Sequence, residues 1–292
     1  MSGHLYAILS DIHANYPALL AVADDARQLA HDEHLPTPIF VCLGDIVDYG
    51  PQPNECMDWV RAHVDEKFLL RGNHDDDVSR PGWTRPQRIG EFWWPLTLWT
   101  RFALAPHHHE TLRRLPEQRV GMNSLGRFTL SHSWPPSDDD YLYDPSKARE
   151  ALQKLLPDQF ALFGHSHRQV MFENEPNPNP QSSPPWRTVT TTAVSETTPS
   201  GALRHESGTY PTAVNDWRPL PRYRALINPG SVGQPRFAPG DPTDCRAQYM
   251  LLDTTKAPIR FQWRRVKYHV EETLRQYEGV VWPVGQEEAS PA

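Results

Sequence analysis

Cysteine is scarce in this chain, and its three copies, Cys42, Cys56 and Cys245, form an odd set with no C-x-x-C spacing. That pattern excludes a disulfide framework and offers no thiolate zinc site, so the three are expected to be small buried or half-buried side chains. Long apolar runs are missing too. Nothing approaches the ~20 consecutive apolar residues that cross a bilayer. The opening MSGHLYAILSDIH lacks the basic head, apolar stretch and small-residue cleavage site of a secretory signal. A cytoplasmic setting with no membrane partner is therefore expected. Positive charge is also short: 29 Lys and Arg face 36 Asp and Glu, giving a net charge of -7 and a pI near 6.0. Binding along a polyphosphate backbone relies on many basic contacts. An extended nucleic-acid surface is thus excluded, and any phosphate must be held locally.

What is present fits a folded protein. Apolar residues at 38%, charged residues at 22%, and ten each of Trp, Tyr and Phe suit a globular chain with a sizeable core. A length of 292 residues allows one large domain or two. The first half alternates short apolar runs with amphipathic stretches, the pattern of layered strands and helices. Strands are expected at residues 5–10, 39–43, 67–70, 128–131 and 160–163. Helices are expected at 17–29, capped by Asn15, and at 54–63. The Trp-rich stretch from Trp83 to Trp99 and the following HHHETLRRLP read as two helices, with the Trp residues as core or groove lining. His107, His108 and His109 read as a solvated face. Residues 173–221 turn rich in Pro, Ser and Thr, an insertion in which WRTVTTTAV can form a protruding hairpin. Strands return at 223–227, 248–252 and 259–266, followed by a helix at 271–277. The basic run at 264–267 reads as solvent-facing. The expected organisation is one domain over 1–282 carrying the insertion, then a flexible tail at 283–292, with no internal repeat.

Five strands each end in metal-ligand residue types: SDIH at 10–13, GD at 44–45, GNHD at 72–75, SHS at 131–133 and GHSH at 164–167. In layered α/β folds, ligand sites gather at the carboxyl ends of strands, where side chains from several strands converge. One His after a strand means little. Five clusters in register with five strand ends point to a metal centre. The donors are Asp11, His13, Asp45, Asn73, His132, His165 and His167, all oxygen and nitrogen, which suits Mn, Fe, Zn, Co or Ni. Two divalent ions carry four positive charges and the two Asp return two, so a residual positive charge remains to attract a phosphoester after a bridging hydroxide is counted. The acidic surface is no objection to a phosphate substrate.

The pattern D-x-H, GD-x-x-D, GNH-D, a later H and G-H-x-H resembles the calcineurin-like metallophosphoesterase superfamily. The resemblance implies an α+β fold, a four-layer αββα sandwich of two mixed β-sheets flanked by helices. It implies two divalent or mixed-valence transition-metal ions. Asp11, His13 and His167 would hold one, Asp45 would bridge, and Asn73, His132 and His165 would hold the other. His74 resembles the family's catalytic histidine, which assists the leaving group, and Asp48 matches the carboxylate that orients it in the protein phosphatase branch. That branch has Arg after this Asp to bind phosphate; here Tyr49 follows, which turns the expectation away from phosphoproteins. GDIVDYGPQPNE, INPGSVGQPR and RRVKY are similar to a bacterial and archaeal subfamily assigned as small phosphodiesterases. In that subfamily H-G-S-P is usual where this chain has His132, Ser133, Trp134 and Pro135. The implied activity is metal-dependent hydrolysis of a small phosphodiester by a metal-bridged hydroxide, with nucleotide-derived esters as one substrate class. The alternatives are a phosphomonoesterase, a dinucleoside polyphosphate hydrolase, or a non-catalytic scaffold of the same fold. Asn15, Tyr49 and Arg236 flank the motifs and are candidate substrate contacts, with capping, turn packing and surface pairing as the competing roles.

Overall fold

The computed structural model describes residues 3–81, 94–120, 127–134, 142, 145–174, 186–191, 209–212, 215–235 and 244–278. From the amino terminus, β1 (Leu5–Leu9) leads to α1 (Tyr16–Asp32), β2 (Ile39–Cys42), α2 (Pro53–His63), β3 (Val64–Leu69) and α3 (Asn73–Ser79). There follow α4 (Trp94–Ala103), α5 (Pro106–Arg114), β4 (Gln118–Val120), β5 (Phe128–Ser131), α6 (Pro145–Gln153) and β6 (Phe160–Phe163). The last part holds β7 (Gln169–Asn174), β8 (Trp186–Thr191), β9 (Thr209–Thr212), β10 (Arg218–Pro219), β11 (Ala225–Pro229), β12 (Ala247–Asp253), β13 (Arg260–Val266) and α7 (Val270–Glu278).

These elements build two mixed sheets, ordered β10-β13-β12-β1-β2-β3 and β4-β5-β6-β11-β7-β8-β9. The five residues of β1, LYAIL, are all fully buried, as suits a central strand covered on both faces. One buried cluster joins the sheets, with Ile8 and Leu251 from the first and Leu130, Leu162 and Ile227 from the second. Helix α1 carries Pro17 in its first turn, with the Asn15 side chain accepting from the Ala18 amide at 3.3 Å. It buries Leu19, Val22 and Ala26 on one face, and each large aliphatic so buried contributes about 1.5–3 kcal/mol. Helix α6 supplies Ala148, Ala151 and Leu152 to a second cluster with Trp134, Phe163 and Phe172. The molecule is an α/β sandwich of two sheets flanked by helices, as the residue pattern and the resemblance led one to expect.

The topology fixes where the site must lie. β1, β2 and β3 run parallel in the first sheet, and β5 and β6 run parallel in the second. Their carboxyl ends carry the five clusters.

Two expectations need correction or extension. Strands β8 and β9, inside the Pro/Ser/Thr-rich stretch, extend the second sheet: β8 pairs antiparallel with β7 and parallel with β9. The antiparallel partner of WRTVTTTAV is therefore β7, and β9 lies parallel to β8 on its other side. The remainder of that insertion and the 283–292 tail lie outside the described residues. The basic run is not uniformly exposed, because Arg265 is buried between Asp244 (3.0 Å) and Gln169 (3.1 Å), and Arg264 pairs with Asp25 at 2.6 Å. The run RRVK does not show which guanidinium has a carboxylate waiting on a neighbouring helix or loop. Among the described residues no helix is long and apolar enough to cross a membrane.

Candidate metal centre

Asp11 and His13 follow β1, Asp45 follows β2, Asn73 opens α3 after β3, His132 follows β5, and His165 and His167 follow β6. All seven are buried, with at most 6% exposure. Backbone hydrogen bonds lock the segments together: the Asp11 amide donates to the Gly44 carbonyl (3.0 Å), His13 to Asp45 (2.9 Å), and Gly164 to His132 (2.8 Å). The NPGSVG segment at the end of β11 braces the same place. The Gly233 amide and the Ser231 hydroxyl both donate to the Asp11 carbonyl, at 3.0 and 2.7 Å. Gly72 and Gly164 permit this closeness, since a methyl at either position would overlap the Asp45 or Asp11 carboxylate.

The backbone is strained where the donors sit. Asp11, His13, Ala14, Asp45, Asp48, Tyr49, His165 and His167 all have positive φ, between 46° and 74°. Each such residue costs on the order of 1–3 kcal/mol and persists only where its surroundings over-determine it, a state that clusters at functional sites. Among the described non-glycine residues only His34 and Asn215 share this geometry elsewhere.

The donor atoms fall into two groups, Asp11, His13, Asp45 and His167, and Asp45, His132 and His165, the atoms of each lying within 4.8 Å of one another. Asp45 belongs to both. Its Oδ2 is 3.2 Å from His132 Nε2 and 3.7 Å from His13 Nε2. The Asn73 Oδ1 joins the second group, 3.0 Å from His132 Nε2 and 2.9 Å from His165 Nδ1.

Ring orientation tests whether cations fit. His13, His132 and His167 direct Nδ1 at the carbonyls of Val47 (3.3 Å), Leu43 (3.0 Å) and Gln234 (2.7 Å). A ring that donates Nδ1–H to a carbonyl presents Nε2 as a lone pair, the usual arrangement of a metal-ligating imidazole. The Nε2 atoms of His13 and His167 then face each other at 3.1 Å. Two lone pairs at that distance repel unless a cation lies between them. Burial, opposed by Asp45, lowers the His13 pKa to about 3, so the ring does not supply a proton for the purpose. The residues fit a bound metal.

The protein's own charges are set to the same end. Burial by itself would raise the Asp45 carboxyl, but the neighbouring His132, His74 and His13 together hold it well below the usual carboxylate range. Burial and the Asp45 charge raise Asp11 to about 7 against the pull of His132. His132, despite burial, is raised to about 9 by Asp45 and Asp11. A ligand must lose its proton to bind a metal, so an arriving cation would lower the proton affinity of both Asp11 and His132 and bring His132 Nε2 to its lone-pair form.

Beside the donor groups stands His74. Its Nδ1 is 2.7 Å from Asp48 Oδ2, its Nε2 is 3.1 Å from the Tyr49 hydroxyl, and its amide donates to Asp45 Oδ1 at 2.9 Å. Burial opposes a charged ring, yet Asp45 and Asp48 outweigh it and raise His74 to about 9. The Tyr49 ring lies against both His13 and His74, with centroids 4.6 and 4.5 Å away.

Other candidates are placed differently. Asn15 uses its amide on the α1 cap, on the Gly233 carbonyl (3.1 Å) and the Tyr268 hydroxyl (3.1 Å), and as acceptor from Thr273 (3.0 Å). This is a bracing role between the β1 loop and α7. Arg236 lies outside the described residues. The His triplet does not form a uniformly solvated face: His108 is 1% exposed, with Nε2 3.2 Å from Asp58. Helix α4 buries Thr97 and Thr100 while Trp94 and Trp99 are only half-buried, so threonines occupy its innermost positions. Trp134, the departure from H-G-S-P, turns inward to donate to the Ala151 carbonyl at 3.1 Å. Reading the sequence missed a part for Asp75. Its carboxylate accepts from the amides of Ile46, Val47 and Gly72 at 2.9–3.0 Å and so ties the β2 and β3 loops together. The signal was present, an Asp three residues after the Gly that precedes a helix.

A layered sandwich with nitrogen and oxygen donors gathered at its strand ends is the arrangement of a metal-binding α/β protein. The chain belongs to the calcineurin-like phosphoesterase family, whose profile matches residues 5–169. It is similar to a crystallised metallophosphoesterase from Sphaerobacter thermophilus, 26% identical with a TM-score of 0.66, covering 97% of this chain and 96% of that one. A hypothetical protein from Pyrococcus horikoshii OT3, 16% identical, shares the fold with a TM-score of 0.61 over 96% of this chain and 95% of its own. An uncharacterized protein of Methanocaldococcus jannaschii is 28% identical over 288 residues, 95% of this chain and 92% of that protein.

Proposed function

We propose that the chain is a dinuclear metal-dependent phosphodiesterase acting on small, including nucleotide-derived, esters. The observation that carries this reading is Asp45, the one residue common to both donor groups. Asp11, His13 and His167 would hold one ion, Asn73, His132 and His165 the other, and Asp45 would serve both. When bound, such a pair lowers the pKa of a shared water and neutralises charge on the attacking and leaving oxygens. The protein's own groups do the rest. The strained, mutually hydrogen-bonded loops hold the donors in place before substrate arrives. Asp48 fixes the His74 ring through Nδ1, which leaves Nε2 to face the departing oxygen at the position the Tyr49 hydroxyl now takes. A ring kept cationic near neutral pH can give its Nε2 proton to that oxygen. Tyr49, standing where the phosphatase branch has Arg, offers a neutral hydroxyl and one positive charge fewer. A neutral residue there suits a diester monoanion better than a monoester dianion.

The test is a panel of chromogenic phosphodiesters and matched monoesters on protein of known metal content. Diester turnover is expected to be faster. Faster monoester turnover overturns the diester assignment, and no turnover on any ester by metal-replete protein favours a scaffold.

A further inference from the structure

We propose that Thr97 is a positioning residue of this centre, its hydroxyl fixing the Asp48 carboxylate so that the carboxylate holds His74 with Nε2 toward the leaving oxygen; this rests on the phosphoesterase reading above. Thr97 lies on α4, 49 positions from Asp48 in sequence, and is 1% exposed. Its Oγ1 donates to Asp48 Oδ2 at 2.8 Å, the same oxygen that stands 2.7 Å from His74 Nδ1. The other carboxylate oxygen accepts from the Tyr49 amide at 2.8 Å. Asp48 is fully buried, so no solvent competes for these lone pairs.

Geometry shows why the threonine matters. Asp48 and Tyr49 both lie in the left-handed region, φ 74° and 65°, on a turn clamped from the other side by the Tyr277 hydroxyl donating to the Tyr49 carbonyl at 2.7 Å. That turn fixes the Asp48 backbone, but rotation of the carboxylate about its last bond is restrained only by what its oxygens accept. The Tyr49 amide pins Oδ1. Thr97 pins Oδ2 in the direction that also meets His74. Without it, one oxygen has His74 alone, and the imidazole loses a fixed reference for its tilt. The Trp-rich stretch thereby acquires a part that its tryptophans did not suggest: it brings a buried hydroxyl beneath the catalytic-type histidine.

The experiment compares Thr97→Val, Thr97→Ser and wild type in the metal-loaded full chain, by two readouts. The first is the low-field proton resonance of the His74 Nδ1–H, assigned by its loss in His74→Ala. The valine variant should shift or broaden it and the serine variant should keep it. The second is kcat on phosphodiesters with a good and a poor leaving group. Thr97→Val should lower kcat about tenfold for the poor leaving group, the effect of losing one hydrogen bond to a charged group, with little change in KM or for the good one. Serine should restore it, and Thr97→Val should add nothing in a His74→Ala background. An unmoved resonance, an equal loss on both leaving groups, or a loss that adds to that of His74→Ala overturns the proposal. A resonance that responds to Thr97 in a chain cleaving no phosphoester counts against the phosphoesterase reading and leaves the placement of Thr97 standing.

Discussion

Asp45→Asn is expected to reduce turnover by more than about 100-fold, beyond the 10–100-fold cost of losing a mere outer partner of a metal ligand, and to leave fewer than two ions per chain. The substitution is nearly isosteric, and Asn adopts the left-handed backbone of φ 52° that Asp45 requires. It also retains an oxygen to accept from the His74 amide, where Asp45 Oδ1 now does so at 2.9 Å. What changes is Oδ2, which faces His132 Nε2 at 3.2 Å and His13 Nε2 at 3.7 Å. An amide nitrogen there carries no negative charge and points hydrogens where both donor groups need a lone pair. Circular dichroism and metal content measured beside kcat separate this from misfolding. A variant with two ions and wild-type turnover would remove Asp45 from the centre.

His74→Ala should divide the effects the other way. Neither ring nitrogen belongs to a donor group: Nδ1 is held by Asp48 and Nε2 meets the Tyr49 hydroxyl. Metal content should stay at the wild-type level while kcat falls about 10²–10⁴-fold, the range for losing a positioned general acid. The loss should be steepest for esters with poor leaving groups, because those need the proton most. Loss of metal with kcat per bound metal unchanged would assign His74 a structural part instead.

How far the sequence revealed this site depended on where each contact lies along the chain. The metal-ligand residue types were legible because each follows a strand directly, and parallel strands must deliver their carboxyl ends to one place. The helical face of α1 and its Asn15 cap were legible by the same local logic. Helix α3 was hidden, since its seven residues NHDDDVS carry no apolar period. The long-range part of Asp75 and the place of Thr97 were hidden for another reason. The Val47 and Ile46 amides that Asp75 accepts from lie 28 and 29 positions away and the Asp48 partner of Thr97 lies 49 away, and nothing in the local pattern marks a hydroxyl on an amphipathic helix as the one beneath a carboxylate. His108 was misread because a His on a polar helix start gives no sign of the Asp58 carboxylate on α2 that it packs against. Arg265 was misread likewise, with its Asp244 partner across a loop.

Anomalous diffraction from crystals of the chain loaded with manganese tests the two-cation arrangement most directly. The account predicts two peaks, one contacting Asp11, His13 and His167, the other Asn73, His132 and His165, with the Asp45 carboxylate touching both. A single peak, or a pair in which Asp45 touches neither, would contradict it.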